Sequence, residues 1–415
     1  MSGGARRVRA ESPVATLGRA AIFLPCAAGT EALLAEECAR LLGAGAGVSP
    51  ARGGVGVTAD AAGAMRLNLE SRLAQRVLWP LAEAPYATEH DLYALARTVD
   101  WPRWIDAKQT LKVEASAQRS PLKSLHFAAL RIKDAVCDAL REACGSRPSV
   151  DTRRPDLPLV LHLSADRAWL YVDTSGEALF KRGWRDAQAG KGEAPLKETL
   201  AAALLAAAGW HGRAEDGPLF DPCCGAGTIA IEAAQIACDI APGLQRRFAF
   251  EGLEPWQPLL PTWQRMKDGA RARIRRPAAS VFAGDVSFRM VDFAQRNAER
   301  AGVAAAIELK PADLLQRLPP APCGTMVMNP PYGGRIAPKG SGRQGFADDG
   351  AAAPFYAALA AHWKRHYAGW TAWVLSPDRA LESALRLKAA RRIPLWNGPI
   401  ECRLYRFDIV AGSAR

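Results

Sequence analysis

Short apolar runs alternate with amphipathic stretches along the chain and divide it into three blocks. In the first, residues 21–25 read as a strand, and 30–42 repeat apolar positions at helical spacing behind a capping Thr30. Gly53-Gly54 then turn into Val55-Gly56-Val57, residues 61–74 read as a second helix, and Arg76-Val77-Leu78-Trp79 as another strand. This β-α-β-α-β order predicts a ferredoxin-like subdomain over 19–80. The second block, 81–175, holds strands near 110–116, 159–164 and 168–173 and a helix over 124–142 carrying Arg131 and Lys133. Residues 176–193 are a basic, glycine-containing linker with Lys181, Arg182 and Arg185, and residues 1–18 lack periodicity and read as a disordered basic tail.

The third block, 194–410, alternates helices (196–208, 228–238, 288–300, 354–367) with short apolar strands (217–221, 280–284, 306–310, 324–329, 370–376, 402–410). That alternation predicts an α/β fold with a mostly parallel, Rossmann-like sheet covered on both faces. An insertion at 239–279 carries Arg265, Lys267, Arg271, Arg273, Arg275 and Arg276 in one helix-like stretch, a candidate phosphate track.

Composition adds three constraints. A chain of 415 residues exceeds one ordinary core, and 49% apolar with 23% charged residues is globular. The formal charge of +12 favours a polyanionic partner. Nine cysteines without paired spacing suit reduced thiols better than a disulfide framework or a zinc site. The basic start ahead of Ala20–Cys26 imitates a signal peptide, but the apolar run is short and carries Pro25, so a first strand is the reading. With no stretch of about eighteen apolar residues, the expectation is a cytoplasmic protein without membrane contact.

Two motifs carry the candidate chemistry. Asp221-Pro222-Cys223-Cys224-Gly225-Ala226-Gly227-Thr228 closes the first strand of the third block and opens a helix. Gly225 and Gly227 let a ligand approach the backbone there, and Thr228 is placed to cap the helix. No lysine follows the glycines, which excludes a P-loop. A dinucleotide fingerprint is a poor fit, since Ala230 stands at the third glycine position and Asp239 lies beyond the helix rather than at a strand end. S-adenosyl-L-methionine brings no phosphate to be cradled. For it, Asp285 at the end of the second strand is placed to accept from both ribose hydroxyls, and Asp313 past the third to accept from the adenine amine.

Asn329-Pro330-Pro331-Tyr332 closes the fourth strand. The lone pair of an exocyclic amine on a nucleobase is delocalised into the ring. The Asn329 side-chain oxygen and the Pro330 carbonyl can take its two hydrogens and turn the lone pair toward a methyl donor, with the prolines holding the turn rigid. Tyr332 offers a face for an extruded base. Cys223 and Cys224 lie in the cofactor turn and read as packing residues, not as nucleophiles. His362 and His366 have the spacing of a metal pair but lack the glutamate of such a motif, and read as surface histidines; no metal site is expected.

In order along the chain these features resemble the THUMP-containing RNA methyltransferases, in particular those that methylate guanine N2 in bacterial 23S rRNA. The resemblance runs from about 21 to 408 and includes Leu92-Tyr93, Trp101, Lys133-Asp134-Ala135-Val136, Ser175-Gly176-Glu177-Ala178-Leu179, Arg182-Gly183-Trp184-Arg185 and Asn397-Gly398-Pro399. It also includes Ala194-Pro195-Leu196-Lys197-Glu198-Thr199, matching the helix that borders the cofactor in that family. It implies a ferredoxin-like subdomain and a THUMP domain (81–175) for RNA docking, ahead of a class I methyltransferase domain. It further implies S-adenosyl-L-methionine as cofactor and 23S rRNA or a large-subunit assembly intermediate as partner. Cofactor contacts are expected from Thr199, Asp221, Pro222, Cys223, Gly225, Gly227, Thr228, Asp285, Asp313 and Asn329. Catalysis is expected from Asn329, Pro330, Pro331 and Tyr332, and RNA contacts from Arg131, Lys133, Lys181, Arg182, Arg185, Arg271, Arg275 and Arg335.

Cys223 and Ala226 depart mildly from the family turn. Ser287 replaces a second acid after Asp285, and Gly334 a glutamate, ahead of a basic loop up to Gly350 that is expected to close over the substrate. Some relatives carry a second methyltransferase domain, which a 415-residue sequence is expected to lack. The residues themselves leave open adenine-N6 methylation, glutamine methylation of a release factor, and a non-catalytic rRNA-binding assembly factor.

Overall fold

The computed structural model describes residues 17–185, 196–330 and 352–411. The first two blocks build a single eight-stranded sheet. Its strands are β1 (Ala20–Pro25), β2 (Ser49–Ala51), β3 (Gly54–Ala59), β4 (Leu78–Pro85), β5 (Thr110–Ala117), β6 (Ser149–Val150), β7 (Leu157–Leu163) and β8 (Arg167–Asp173), in the order β2-β3-β1-β4-β8-β7-β5-β6. β4 joins the two halves: Leu78 opposes Phe23 of β1, and the strand then runs antiparallel to β8. The register slips between Pro80 and Ala82, where proline has no N–H to give the ladder. Helices α1 (Glu31–Leu42), α2 (Ala61–Glu70), α3 (Glu89–Arg97) and α4 (Leu125–Cys144) pack against it.

The expected helix over 61–74 stops at Glu70 because Glu37, buried on α1, takes the next amides. Its carboxylate accepts from the Ser71 hydroxyl (2.6 Å) and from the N–H groups of Arg72 (3.0 Å) and Leu73 (3.3 Å). Thr30 does not cap α1 through its side chain; its hydroxyl bonds the Ala27 carbonyl at 2.7 Å.

The third block begins with α5 (Glu198–Ala207), apolar on nearly every side and buried at every position but Ala206, as a helix sandwiched between layers should be. There follow β9 (Leu219–Asp221), α6 (Thr228–Ala237), α7 (Leu260–Ala272), β10 (Val281–Asp285), α8 (Phe288–Arg300), β11 (Ile307–Pro311), β12 (Gly324–Met328), α9 (Ala352–His366), β13 (Trp370–Ser376), α10 (Leu381–Leu385), β14 (Arg391–Asn397) and β15 (Ile400–Asp408). The sheet order is β11-β10-β9-β12-β13-β15-β14, parallel from β11 to β13 with β15 antiparallel to β13 and to β14. The order reverses between β9 and β12, which opens a ligand crevice at the carboxyl ends of the parallel strands.

The insertion is chiefly an apolar clamp. Only part of its arginine stretch is helical, since α7 ends at Ala272. Trp256, Trp263, Phe248 and Phe250 are buried, and Trp256 meets Trp79 of β4 edge-on at 5.2 Å. Gly243 lies so close to α2 that a Cβ there would sit 2.7 Å from the Asn68 carbonyl. One continuous hydrophobic core therefore runs from Ile22 of β1 through Trp256 to Leu404 of β15.

Candidate active site

Asp221, Asp285 and the residues after β12 meet at the crevice because β10 and β12 both pair with β9, at Leu219 and Phe220. The turn after Asp221 is bonded to the neighbouring strand, with the Cys224 N–H donating to the Gly284 carbonyl at 2.8 Å. Gly225 (φ +51°) and Gly227 (φ +86°) are left-handed, and a Cβ on Gly227 would lie 3.0 Å from that of Ala294 on α8. Gly227 occupies the N-cap, so Thr228 is the first helical residue and not the cap. Its hydroxyl instead accepts from the Arg185 guanidinium at 2.6 Å, and Arg185 also pairs with the buried Glu198. This Arg185–Glu198–Thr228 tie was not expected from the sequence; the presence of Arg185 and Glu198 in two of the segments that carry the resemblance was its only trace.

Asp285 is held by two backbone amides: Oδ2 accepts from Gly225 at 3.1 Å and Oδ1 from Ser287 at 2.9 Å. Its remaining lone pairs stay open for a pair of hydroxyls. In Asp285→Ala the dissociation constant for S-adenosyl-L-methionine is expected to rise about 10–100-fold, the loss of roughly 1.5–3 kcal/mol for bonds to a charged acceptor. Titration calorimetry reads that change directly. Asp313 lies in the turn after β11, where Oδ1 accepts from Leu315 N–H at 2.9 Å. Thr199 is buried on α5.

Two acceptors in the crevice have no partner among the described residues. The carboxylate of Asp221 is buried with both oxygens unbonded, and so is Oδ1 of Asn329. Pro330 is buried beside Asn329. Orphaned acceptors of this kind carry a cost of about 1–3 kcal/mol each unless a ligand satisfies them. A cationic ligand and an amine donor are what this pair fits. Burial pushes the Asp221 carboxyl well above the usual range, offset in part by the nearby Cys223 amide and reinforced by the charge of Asp285. The folded protein therefore keeps a proton that the unfolded chain loses at about pH 4, and stability falls as pH rises from there toward the raised value. Asp221→Asn should flatten this part of the profile, as urea midpoints between about pH 4 and about pH 7 will report.

Burial pushes the thiols of Cys223 and Cys224 up, which leaves them poor nucleophiles. His362 departs from the surface reading. It is half-buried and bonds the Arg317 carbonyl at 2.8 Å, whereas His366 is exposed.

The basic residues separate into several groups. Arg182 is not a surface cation: it is buried, pairs with the fully buried Glu232 at 3.0 Å, and donates to the carbonyls of Leu179 and Arg72. Arg185 is committed to Glu198 and Thr228. Lys181 is exposed and pairs with Glu177, Arg271 with Asp268, and Lys133 with Asp134. Arg131 lies over the Tyr93 ring at 4.8 Å, and Arg275 is exposed beyond α7. Pro331, Tyr332, Arg335 and the basic loop up to Gly350 lie outside the described residues, as does most of the tail 1–18.

A seven-stranded sheet with this order, a glycine turn after β9 and an acid at the end of β10 define a class I methyltransferase domain, here fused behind an α/β module that shares its core. Family models match in the same sequence: an RlmL ferredoxin-like domain over residues 21–78, a THUMP domain over 86–173, and an RMKL-like methyltransferase domain over 182–406. The last spans more than half of the chain, and the chain belongs to this RMKL-like methyltransferase family. It is 39% identical over 396 residues to a ribosomal RNA large subunit methyltransferase K/L of Syntrophotalea carbinolica, covering 93% of this chain and 53% of that protein. With the protein of the same name from Pseudomonas aeruginosa the figures are 36% over 401 residues, 94% and 52%. The chain thus spans about half the length of the curated relatives it matches. Among solved structures, SMU.472, described as a methyltransferase complexed with SAH, superposes with a TM-score of 0.80 at 27% identity, covering 96% of this chain and 100% of that one. A protein of Listeria monocytogenes, described as a predicted N6-adenine-specific DNA methylase, superposes with a TM-score of 0.79 at 29% identity, covering 94% and 96%. Among the described residues no helix is long and apolar enough to cross a membrane.

Proposed function

We propose that this chain methylates the exocyclic N2 amine of a guanine in 23S rRNA, with S-adenosyl-L-methionine as donor, in the cytoplasm. The observation that carries the reading is the buried, unbonded Oδ1 of Asn329 at the point where the sheet order reverses, one strand from the glycine turn and the orphaned Asp221. Both large-subunit relatives bear rRNA methylation in their names, and the THUMP match and the charge of +12 fit an RNA substrate.

The bound cofactor supplies an electrophilic methyl group on a sulfonium. Asp285 would hold the ribose, and Asp221 beside a cationic end would give up the proton that burial keeps on its carboxyl, leaving a negative charge there. Asn329 Oδ1 and the Pro330 carbonyl accept the two hydrogens of the amine, which localises its lone pair. As the new N–C bond forms, positive charge grows on that nitrogen, and the same two oxygens stabilise it without reorganising. One amine proton then passes to water, and the S–C bond electrons remain on the departing thioether.

Adenine-N6 methylation is the second reading, favoured by the name of the Listeria neighbour, because the same two acceptors serve any planar amine. Mass spectrometry of nucleosides from treated, unmodified 23S rRNA separates the two. N2-methylguanosine is expected; N6-methyladenosine in its place overturns the guanine assignment, and unmethylated RNA supports the assembly-factor alternative.

A further inference from the structure

A cleft among the described residues lies outside the cofactor crevice. It has a volume of about 1250 Å³ and lies where strands β5 and β7 of the N-terminal sheet, with the loop before β7, face the segment leading into α5 and the start of the insertion. Small-molecule sites span roughly 300–1,000 Å³ and are mostly apolar. This cleft is instead lined by ten Lys and Arg side chains against four carboxylates.

Pairing sorts those cations. Arg76, Lys112, Lys181, Arg182 and Arg185 are each matched to a carboxylate. Arg246 spends its guanidinium on the carbonyls of Ser175, Glu177, Ala178 and Lys181, and burial lowers its pKa to about 10. Four remain exposed with no ion pair among the described residues: Arg153 and Arg154 in the loop before β7, Lys197 at the N-terminus of α5, and Arg247 in the insertion. They come from three separate segments and both halves of the molecule. Scattered surface arginines would not converge in this way on one concavity, where cations outnumber carboxylates ten to four.

We infer that this interdomain cleft holds the ribose–phosphate backbone of the RNA, with Arg153, Arg154, Lys197 and Arg247 on its phosphates. The inference rests on the RNA reading above. Fixed phosphates on both walls set the distance from the N-terminal module to the catalytic crevice. Arg185 lines the cleft and bonds Thr228 at the first turn of the cofactor helix, so the track ends one side chain from the cofactor turn. Phosphate contacts position a strand without reading its sequence.

The test compares two triple variants of the full chain. Arg153→Ser/Arg154→Ser/Arg247→Ser removes three of the four unpaired cations of the cleft, and Arg40→Ser/Arg103→Ser/Arg391→Ser removes the same charge from exposed positions outside it. Binding of unmodified 23S rRNA and of a labelled single-stranded 12-mer is followed against salt. Each lost phosphate contact on a single strand lowers the slope of log K against log salt by about 0.7, so the cleft variant should lose a slope of about 2. Its RNA affinity should fall at least about tenfold at about 150 mM salt, with KM raised, kcat within about threefold and cofactor affinity unchanged. The variant outside the cleft should behave like wild type. Equal losses in both variants, or none in the cleft variant, overturn the inference while leaving the methylation reading intact. A wild-type chain that neither binds nor methylates RNA overturns both.

Discussion

Replacing Asn329 by alanine is expected to lower kcat for methyl transfer by about 10²–10³-fold, with the cofactor dissociation constant changed by less than about threefold. The first figure is the typical loss when one preorganised group that meets developing charge is removed. The second follows from position, because the glycine turn and Asp285, the proposed ribose-side contacts, are bonded to each other without help from Asn329. Oδ1 of Asn329 has no partner among the described residues, so alanine breaks no native hydrogen bond of that atom and stability should hold or rise slightly. Single-turnover rates with saturating cofactor, beside calorimetric binding, separate the two effects. A variant that loses cofactor affinity in proportion to rate would move Asn329 from chemistry to binding.

Glu232→Ala should destabilise the folded chain by about 3–5 kcal/mol, the usual consequence of stripping one partner from a buried ion cluster. Glu232 on α6 is fully buried and faces two guanidiniums, Arg182 at 3.0 Å and Arg72 at 3.4 Å. Burial pulls the Arg72 pKa down, and the carboxylate of Glu232 opposes that. Arg72 follows α2 of the first block, Arg182 lies between the blocks, and Glu232 stands one turn along the cofactor helix from Thr228. Losing the carboxylate leaves two buried positive charges facing each other where the N-terminal module meets the methyltransferase domain. Urea midpoints measure the loss, and Arg182→Met, which removes one of those charges with little change in volume, should be milder than Glu232→Ala. Equal midpoints for Glu232→Ala and wild type would mean that the cluster is not a fastening.

What the sequence announced were features whose cause is local. Glycines at left-handed positions and the short buried strands β9, β10 and β12 follow from backbone sterics and period. What it hid depends on distant partners. α2 ends early because Glu37, more than thirty residues away, collects its next amides. Arg182 reads as a linker cation until Glu232 is found beneath it. The insertion was read for its arginines, while Phe248, Phe250, Trp256 and Trp263, equally plain in the sequence, carry its packing onto β4. β14 escaped notice because Arg391, Arg392 and Pro394 break the apolar pattern, as an edge strand permits. The single sheet shared by the first two blocks is a matter of β4 pairing on both sides, which no periodicity records.

The most direct measurement is transfer of labelled methyl from S-adenosyl-L-methionine to unmodified 23S rRNA, by the wild-type chain and by Asn329→Ala side by side. The account predicts label in the RNA with the wild type and a rate about 10²–10³-fold lower in the variant, at equal cofactor binding. Label incorporated equally by both, or by neither despite bound cofactor, would contradict it.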